Sequence, residues 1–372
     1  PFGVKGISLF LVPKFLLDAN GEPAERNDVQ GVSLEHKLGI HASPTCVMAF
    51  GDRGGAIGYL VGEPHRGLAA MFTMMNAARQ SVGLQGLSVS ARSYRQALAW
   101  ARERLQGTRS DGSRYPIIEF PDVRRMLLLM KAGTEAMRAL AFTAAAEIDR
   151  ARLAGDPQQA ARHHARVELF TPIVKGWLTE MAQELTSLGI QIHGGMGFVE
   201  ETGSAQYYRD ARITTIYEGT TGIQANDLVG RKTLANEGRV LEDLLQDIQA
   251  TAGALNARDD LQGLGAALQG GVAAARSGCR WLLDRARQDC NVAGAAGVNW
   301  LMLLGYVCGG WLLGQSALKA AARLESGAGD GSFLQAKIVT ARFYCEHLLP
   351  RAGACLAAMQ AGPDSMMALT AE

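Results

Sequence analysis

The sequence predicts a mainly α-helical chain: a short β segment, then a bundle of long antiparallel helices, then a further helical region. Three observations carry this. Alternating apolar residues broken by turn residues fill the first 62 positions, apolar residues then recur at threes and fours over three long stretches, and an Ala/Leu/Gly-rich tail follows Leu234. A chain of 372 residues can bury two or three cores, and the expected division is 1–62, 63–234 and 235–372.

In the β segment Ile7, Leu9 and Leu11 alternate, and "GVSLEHKLGI" and "TCVMAFGD" follow between turn residues. From about Gly67 the period changes. Leu84, Leu87, Ala91, Tyr94, Leu98, Ala101 and Leu105 line one face of a long helix, which the turn-rich "GTRSDGSRYP" ends. A second helix carries Val123, Leu127, Met130, Met137 and Ala141. A third carries Phe170, Val174, Leu178, Met181, Leu185 and Leu188, with Thr171-Pro172 predicting a start or a kink. These are the long antiparallel helices of a bundle. "GIQIHGGMGFVEE" breaks the period. Beyond Leu234, "ARDDLQGLGAALQGG" reads as a helix-poor or short-helix connector, and more helices run to the end. No charged residue occurs from Asn291 to Leu318, a length that permits a membrane span. Asn299, Gln315 and six glycines argue instead for a buried bundle helix, and Gly305-Gly309 and Gly310-Gly314 have the spacing of closely packed helices.

Net charge is +1, from 37 basic and 36 acidic residues, so no overall field attracts nucleic acid or an anionic membrane. Six cysteines without a C-x-x-C pair predict reduced, packed thiols in a cytosolic-type, cytoplasmic protein. The seven histidines show no metal-ligand spacing, and adjacent His163 and His164 point apart on a helix, so no metal site is expected. The start, "PFGVKGISLF", is neither a signal nor a transit peptide, and it enters directly on a strand-like run. The chain is therefore expected to begin within a domain.

Chemistry concentrates in "ITTIYEGTTGIQANDL", Ile213 to Leu228. Ile213 to Tyr217 favour extended backbone, and Thr221 with Gln224 three residues later fits a helix capping box. Glu218 is thus expected on a short turn just before a helix. It reads either as a solvated loop acid or as a base held beside the positive end of that helix. The glycines of "IHGGMGF" follow a helix and not a strand, so Gly194, Gly195 and Gly197 are not the dinucleotide fingerprint. They let backbone approach a ligand or another helix. Arg79 and Arg104 read as ion-paired arginines or as phosphate ligands.

Taken together these residues resemble the acyl-CoA dehydrogenase family. Its C-terminal signature appears as Gln191, Gly194, Gly195, Gly197, Phe198, Glu201 and Asp210, with Gln206 where a basic residue is usual. The Y-E-G-T motif appears as Tyr217, Glu218, Gly219 and Thr220, ending in Ile223-Gln224. The likeness covers roughly residues 1–234. The tail resembles the branch with an appended helical domain, which includes 3-methylmercaptopropionyl-CoA dehydrogenase-like proteins.

The resemblance implies FAD-dependent α,β-dehydrogenation of an acyl-CoA thioester to the 2-enoyl-CoA. Glu218 takes the α-proton, while its own N–H and a flavin ribityl hydroxyl stabilise the developing enolate. It assigns Arg104, Gln191, Gly195, Thr220 and Gln224 to FAD, the first three across a subunit interface. It assigns Asn76, Arg79, Tyr217 and Gly219 to the substrate. Asn76 replaces an acid common in the family, and Pro121 stands where a flavin-binding glutamine is usual. The implied partners are the acyl-CoA, an electron-transfer flavoprotein or similar acceptor, and at least one further copy of the chain, with neither membrane nor nucleic acid. The family's N-terminal helical domain and the first half of its β-domain are not among these residues, so this stretch alone is expected to bind FAD weakly or not at all and not to turn over. An acyl-CoA oxidase, or a non-catalytic, nucleic-acid-associated relative, is the alternative.

Overall fold

The computed structural model describes residues 3–369, and the chain divides after Ala78 into two units. The first unit holds β1 (Leu9–Leu11), β2 (Phe15–Leu17), β3 (Pro23–Arg26), β4 (Val29–Leu34), β5 (Cys46–Phe50), β6 (Tyr59–Val61) and the opening turns of α1 (Gly67–Glu103). The strands pair antiparallel as three separate ladders, β1 with β6, β2 with β3 and β4 with β5. Buried Asn27 ties the loops between them, donating to the Pro13 and Ile57 carbonyls and accepting from the Ile57 N–H. The expected β character is present, but the alternation of Ile7, Leu9 and Leu11 does not mark a buried face. All three are exposed, because a two-stranded ladder offers no second layer within this unit.

In the second unit α1 runs on to Glu103. The turn-rich insert after it is a hairpin of β7 (Leu105–Thr108) and β8 (Arg114–Pro116), so Leu105 leaves the predicted helical stripe. Next come α2 (Pro121–Leu153), α3 (Pro157–His193), α4 (Ser204–Arg212) and α5 (Thr221–Val229). The remainder is α6 (Arg239–Asn256), α7 (Gln262–Arg285), α8 (Asn291–Glu325), α9 (Gly331–His347), α10 (Arg351–Gln360) and the single turn α11 (Asp364–Met367). The stripes predicted for α2 and α3 are buried apart from half-buried Val123 and Leu188, while Leu84 of α1 is exposed.

Two predictions are corrected. Thr171-Pro172 is not a start. α3 begins at Pro157, where the Asp156 carboxylate accepts from the Gln158 N–H at 3.0 Å, and it runs through Pro172. There the Thr171 hydroxyl donates to the Val167 carbonyl at 2.7 Å. The glycines after Leu261 belong to α7 and not to a connector. A Cβ at Gly265 would lie 2.2 Å from Asn256 Oδ1, and one at Gly271 would lie 3.2 Å from Leu349, so helix-to-helix contact is what requires glycine.

Helix α8, free of charge from Asn291 to Leu318, sits inside this assembly. It is long and apolar enough to cross a membrane, and 67% of its most apolar window is buried by protein. Its glycines seat four different neighbours: Gly305 meets the Trp177 ring, Gly309 the Tyr344 hydroxyl, Gly310 Leu349 and Gly314 Leu255. One core runs through α1–α3, α5 and α6–α10, so packing does not break at residue 234. All six cysteines are free. Cys308 and Cys345 are buried as expected, whereas Cys46 and Cys290 are exposed.

Candidate active site

The turn around Glu218 is built by short-range hydrogen bonds. Ile213 to Thr215 form a 3-10 turn, not the extended run predicted, since the Ile213 carbonyl accepts from the N–H groups of Ile216 (2.9 Å) and Tyr217 (3.1 Å). Local hydrogen bonding overrides the β preference of these residues. Glu218 then adopts φ 55° and Gly219 φ 92°. The left-handed region costs a non-glycine residue about 1–2 kcal/mol, and such outliers cluster at functional sites.

The cap of α5 lies one residue earlier than predicted. Thr220 accepts from the Ile223 N–H at 3.3 Å, while the Thr221 hydroxyl donates to Glu180 Oε1 on α3 at 2.5 Å. Gln224, fully buried, donates to the Gly219 carbonyl at 3.2 Å. The Tyr217 hydroxyl donates to Gln85 on α1. The turn is thereby fastened to α1, α3 and α5. The half-buried Glu218 is left at the positive end of α5, and its N–H bonds to no other described residue.

Behind the turn lies buried charge. Lys175 on α3 is 0% exposed and its Nζ has no hydrogen-bond partner among the described residues; burial pushes the ammonium down to about 8, against the charges of Glu180 and Glu218 and together with Arg79. Arg79, 6% exposed, is an ion-paired arginine with Nη1 3.2 Å from Asp227 Oδ2. Arg231 Nε stands 3.3 Å from the other Asp227 oxygen, without hydrogen-bond geometry. Among the described residues Lys175 Nζ, Arg79 Nε and Gln224 Oε1 are buried without a hydrogen-bond partner. Folded proteins satisfy nearly all such atoms, so several around one short segment mark a site. Asn76 lies exposed on the part of α1 that belongs to the first unit.

Arg104, Gln191 and Gly195 come together elsewhere, in the wall of an open groove of about 900 Å³. Trp100 and His193 stack there with ring centroids 5.2 Å apart. His193 Nδ1 donates to the Gly189 carbonyl at 2.7 Å, which leaves its buried Nε2 as an unpartnered acceptor, and Trp100 Nε1 is a buried, unpartnered donor. Burial lowers the His193 pKa. Gly194 closes α3 at φ 63°, and a Cβ at Gly195 would meet nothing within 4 Å, so packing within the chain does not explain that glycine. A guanidinium, a bare backbone segment, stacked rings and spare hydrogen-bonding atoms fit the adenine-diphosphate end of FAD. Phe198, 86% exposed, stands beside this groove's glycines.

Lys175, Glu180, Asp227, Trp100 and His193 were not found from sequence. Only Lys175 leaves a local signal, a lysine on the apolar stripe of "FTPIVKGWL" between Val174 and Leu178.

Residues 65–233 match the sequence family described as acyl-CoA dehydrogenase, C-terminal domain, and residues 226–370 that described as acetyl-CoA dehydrogenase C-terminal like. The chain belongs to the acyl-CoA dehydrogenase family. Within that family it is 50% identical, over 353 residues, to 3-methylmercaptopropionyl-CoA dehydrogenase of Ruegeria pomeroyi, covering 94% of this chain and 59% of the relative. It is 38% identical, over 373 residues, to the broad-specificity linear acyl-CoA dehydrogenase FadE5 of Mycobacterium tuberculosis, covering 94% and 60%. The chain therefore spans about 60% of the length of these relatives. Caenorhabditis elegans ACDH-11 in complex with C11-CoA superposes with a TM-score of 0.76 at 24% identity, over 93% of this chain and 54% of that one. The FAD-complexed acyl-CoA dehydrogenase of Bacillus anthracis gives 0.69 at 19%, over 93% and 58%. At these identities the two structures establish a shared fold.

Proposed function

We propose that the protein is an FAD-dependent acyl-CoA dehydrogenase that forms 2-enoyl-CoA, with Glu218 as its base. The observation that carries this is the Tyr217–Thr220 turn, which holds Glu218 at φ 55° at the N-terminus of α5 with its backbone N–H free among the described residues. One residue can then act twice. Its carboxylate accepts the α-proton, and its N–H donates to the thioester oxygen as negative charge develops there. The positive end of α5 favours both the carboxylate and the incipient enolate. FAD, when bound, supplies the acceptor for the β-hydride.

Arg104, Gln191 and Gly195 hold the adenine-diphosphate end of FAD across an interface between copies of the chain. Thr220 and Gln224 order the turn on the cofactor side. Tyr217 and Gly219 frame the acyl thioester, and Arg79, paired with Asp227, and Asn76 are the residues that the family resemblance gives to the substrate. The 50% identity to the Ruegeria pomeroyi protein makes 3-methylmercaptopropionyl-CoA the first substrate to test. A homo-oligomer in the cytoplasm, passing electrons to an electron-transfer flavoprotein, completes the reading. Burial of α8 supports the absence of a membrane span, and the near-neutral charge supports the absence of nucleic acid.

The test is anaerobic bleaching of the flavin band in the full-length, FAD-loaded protein, mixed with a panel of acyl-CoAs. Glu218→Gln should retain flavin yet bleach about 10²–10⁴-fold more slowly, the usual contribution of a positioned base. Undiminished bleaching in that variant would remove Glu218 from the role.

A further inference from the structure

We propose that Glu180 is a positioning residue for the base: its carboxylate holds the Thr221 hydroxyl, ties the turn that carries Glu218 to α3, and so keeps the turn in the conformation from which the α-proton is taken. This rests on the assignment of Glu218 as the base.

The turn needs support from outside itself. Glu218 at φ 55°, followed by Gly219 at φ 92°, lies in the left-handed region, and a glutamate returns to ordinary backbone unless its flanks are held. Before the base, the Tyr217 N–H bonds to the Ile213 carbonyl of the preceding 3-10 turn, and the Tyr217 hydroxyl donates to exposed Gln85 of α1. After the base, Thr220 accepts from the Ile223 N–H and Gln224 donates to the Gly219 carbonyl. Both bonds lie within α5 and the turn it opens from, so they shape the turn but move with it. The Thr221 hydroxyl is different. It leaves for another helix and donates to Glu180 Oε1 at 2.5 Å.

A hydroxyl has one proton, and the distances show where it goes. The Thr215 carbonyl also faces Thr221 Oγ1, but at 3.5 Å. Thr215 belongs to the 3-10 turn just before the base. Without Glu180 the hydroxyl would therefore tie the segment only to itself. A carboxylate is also the stronger acceptor, and 2.5 Å is the length expected of a hydroxyl on a charged oxygen. Glu180 can serve as a fixed point because α3 is locked around it: Trp177, Leu178, Met181 and Ala182 are all fully buried in the core.

The experiment uses the full-length, FAD-loaded protein with Glu180→Ala, Glu180→Gln, Thr221→Val, the Glu180→Ala/Thr221→Val double variant and Glu218→Gln. Anaerobic bleaching is followed with the acyl-CoA that reduces the wild type fastest, and its concentration dependence gives substrate affinity separately from rate. Glu180→Ala should slow bleaching by roughly 10- to 100-fold at unchanged affinity, since misplacing a reacting group by about an ångström costs up to ~100-fold. Thr221→Val, of equal size, should match it. The double variant should be no slower than either single one, because each removes the same bond. Glu180→Gln, whose amide oxygen still accepts from the hydroxyl, should restore the rate. A second readout does not use activity: amide hydrogen exchange over residues 213–221 should quicken in Glu180→Ala and Thr221→Val, while the core of α3 keeps its protection.

Wild-type bleaching in Glu180→Ala, losses that add in the double variant, or a Glu180→Gln as slow as Glu180→Ala would each overturn the proposal while leaving Glu218 as the base. Undiminished bleaching in Glu218→Gln would instead remove the underlying assignment. If Glu180→Ala fails to retain flavin, Thr221→Val and its restoration in Thr221→Ser, which keeps the hydroxyl, carry the same comparison.

Discussion

The substitution Gly305→Ala tests how α8 is seated. A Cβ at Gly305 would lie 2.1, 2.4 and 2.6 Å from Cγ, Cδ1 and Cδ2 of Trp177. That ring is fully buried and meets Tyr306 edge-on at 5.9 Å, so it has nowhere to go. Overpacking a tight core typically costs ~1–3 kcal/mol, and contacts this short belong at the upper end. Against this stands the helix propensity gained on replacing glycine, about 1 kcal/mol. The net expectation is a loss of about 1–2 kcal/mol. Gly294 on the same helix is the control, since it is exposed and a Cβ there would meet nothing within 4 Å. Gly294→Ala should gain ~0.5–1 kcal/mol. The same chemical change on one helix thus has opposite signs. Far-UV circular dichroism melts and urea titrations read it directly, with about 2–4 °C per kcal/mol for a cooperative unit of this general size. If Gly305→Ala melts as high as Gly294→Ala, α8 does not rest on Trp177 and the core drawn around it is wrong.

Other consequences follow from the buried charges and the groove. Asp227→Asn leaves Arg79 charged and desolvated without a counter-ion, so a loss of about 3–5 kcal/mol in urea unfolding is expected. Arg79→Met combined with Asp227→Leu should recover most of it; a neutral Asp227→Asn would show the pair is not buried as described. For His193 the sign is set by burial, which lowers its pKa in the folded state from the usual 6.5. Above 6.5 both states are neutral, and below it the unfolded chain takes the proton first, so stability falls as pH drops. Melts from pH 7.5 to 5 should show that fall in the wild type and less of it in His193→Gln. Equal slopes would place the ring in solvent.

The long helices were legible because a 3.6-residue apolar period survives whatever packs against it, as Leu127, Met130 and Met137 of α2 show. Their ends were less so. An interior proline and a helix-starting proline both lack one N–H, and what separates them at Pro172 is a hydroxyl bond at Thr171 and burial on all sides. Glycine has the same ambiguity, serving turns or close approach, and only the contacts of Gly265 and Gly271 decide for approach. The motif located the Glu218 turn to the residue but misjudged its backbone: Ile213–Thr215 coil where their side chains favour extension, and the cap falls on Thr220. The ion pair of Arg79 with Asp227 spans 148 positions, so no local pattern could announce it.

Where local rules are broken is itself informative. Along α8 each inward glycine has a contact that explains it, so local choice and global packing agree. Around the turn they disagree: a glutamate in the left-handed region, a lysine in an apolar stripe, a buried amide oxygen without a donor. These departures share one set of supports, Gln85 of α1, Glu180 of α3 and Gln224 of α5, each on a helix rooted in the main core. A strained turn persists only if its surroundings over-determine it. The deep core formed with α8 therefore does more than stabilise the chain, because it supplies the rigidity that lets Glu218 keep a conformation its own sequence disfavours.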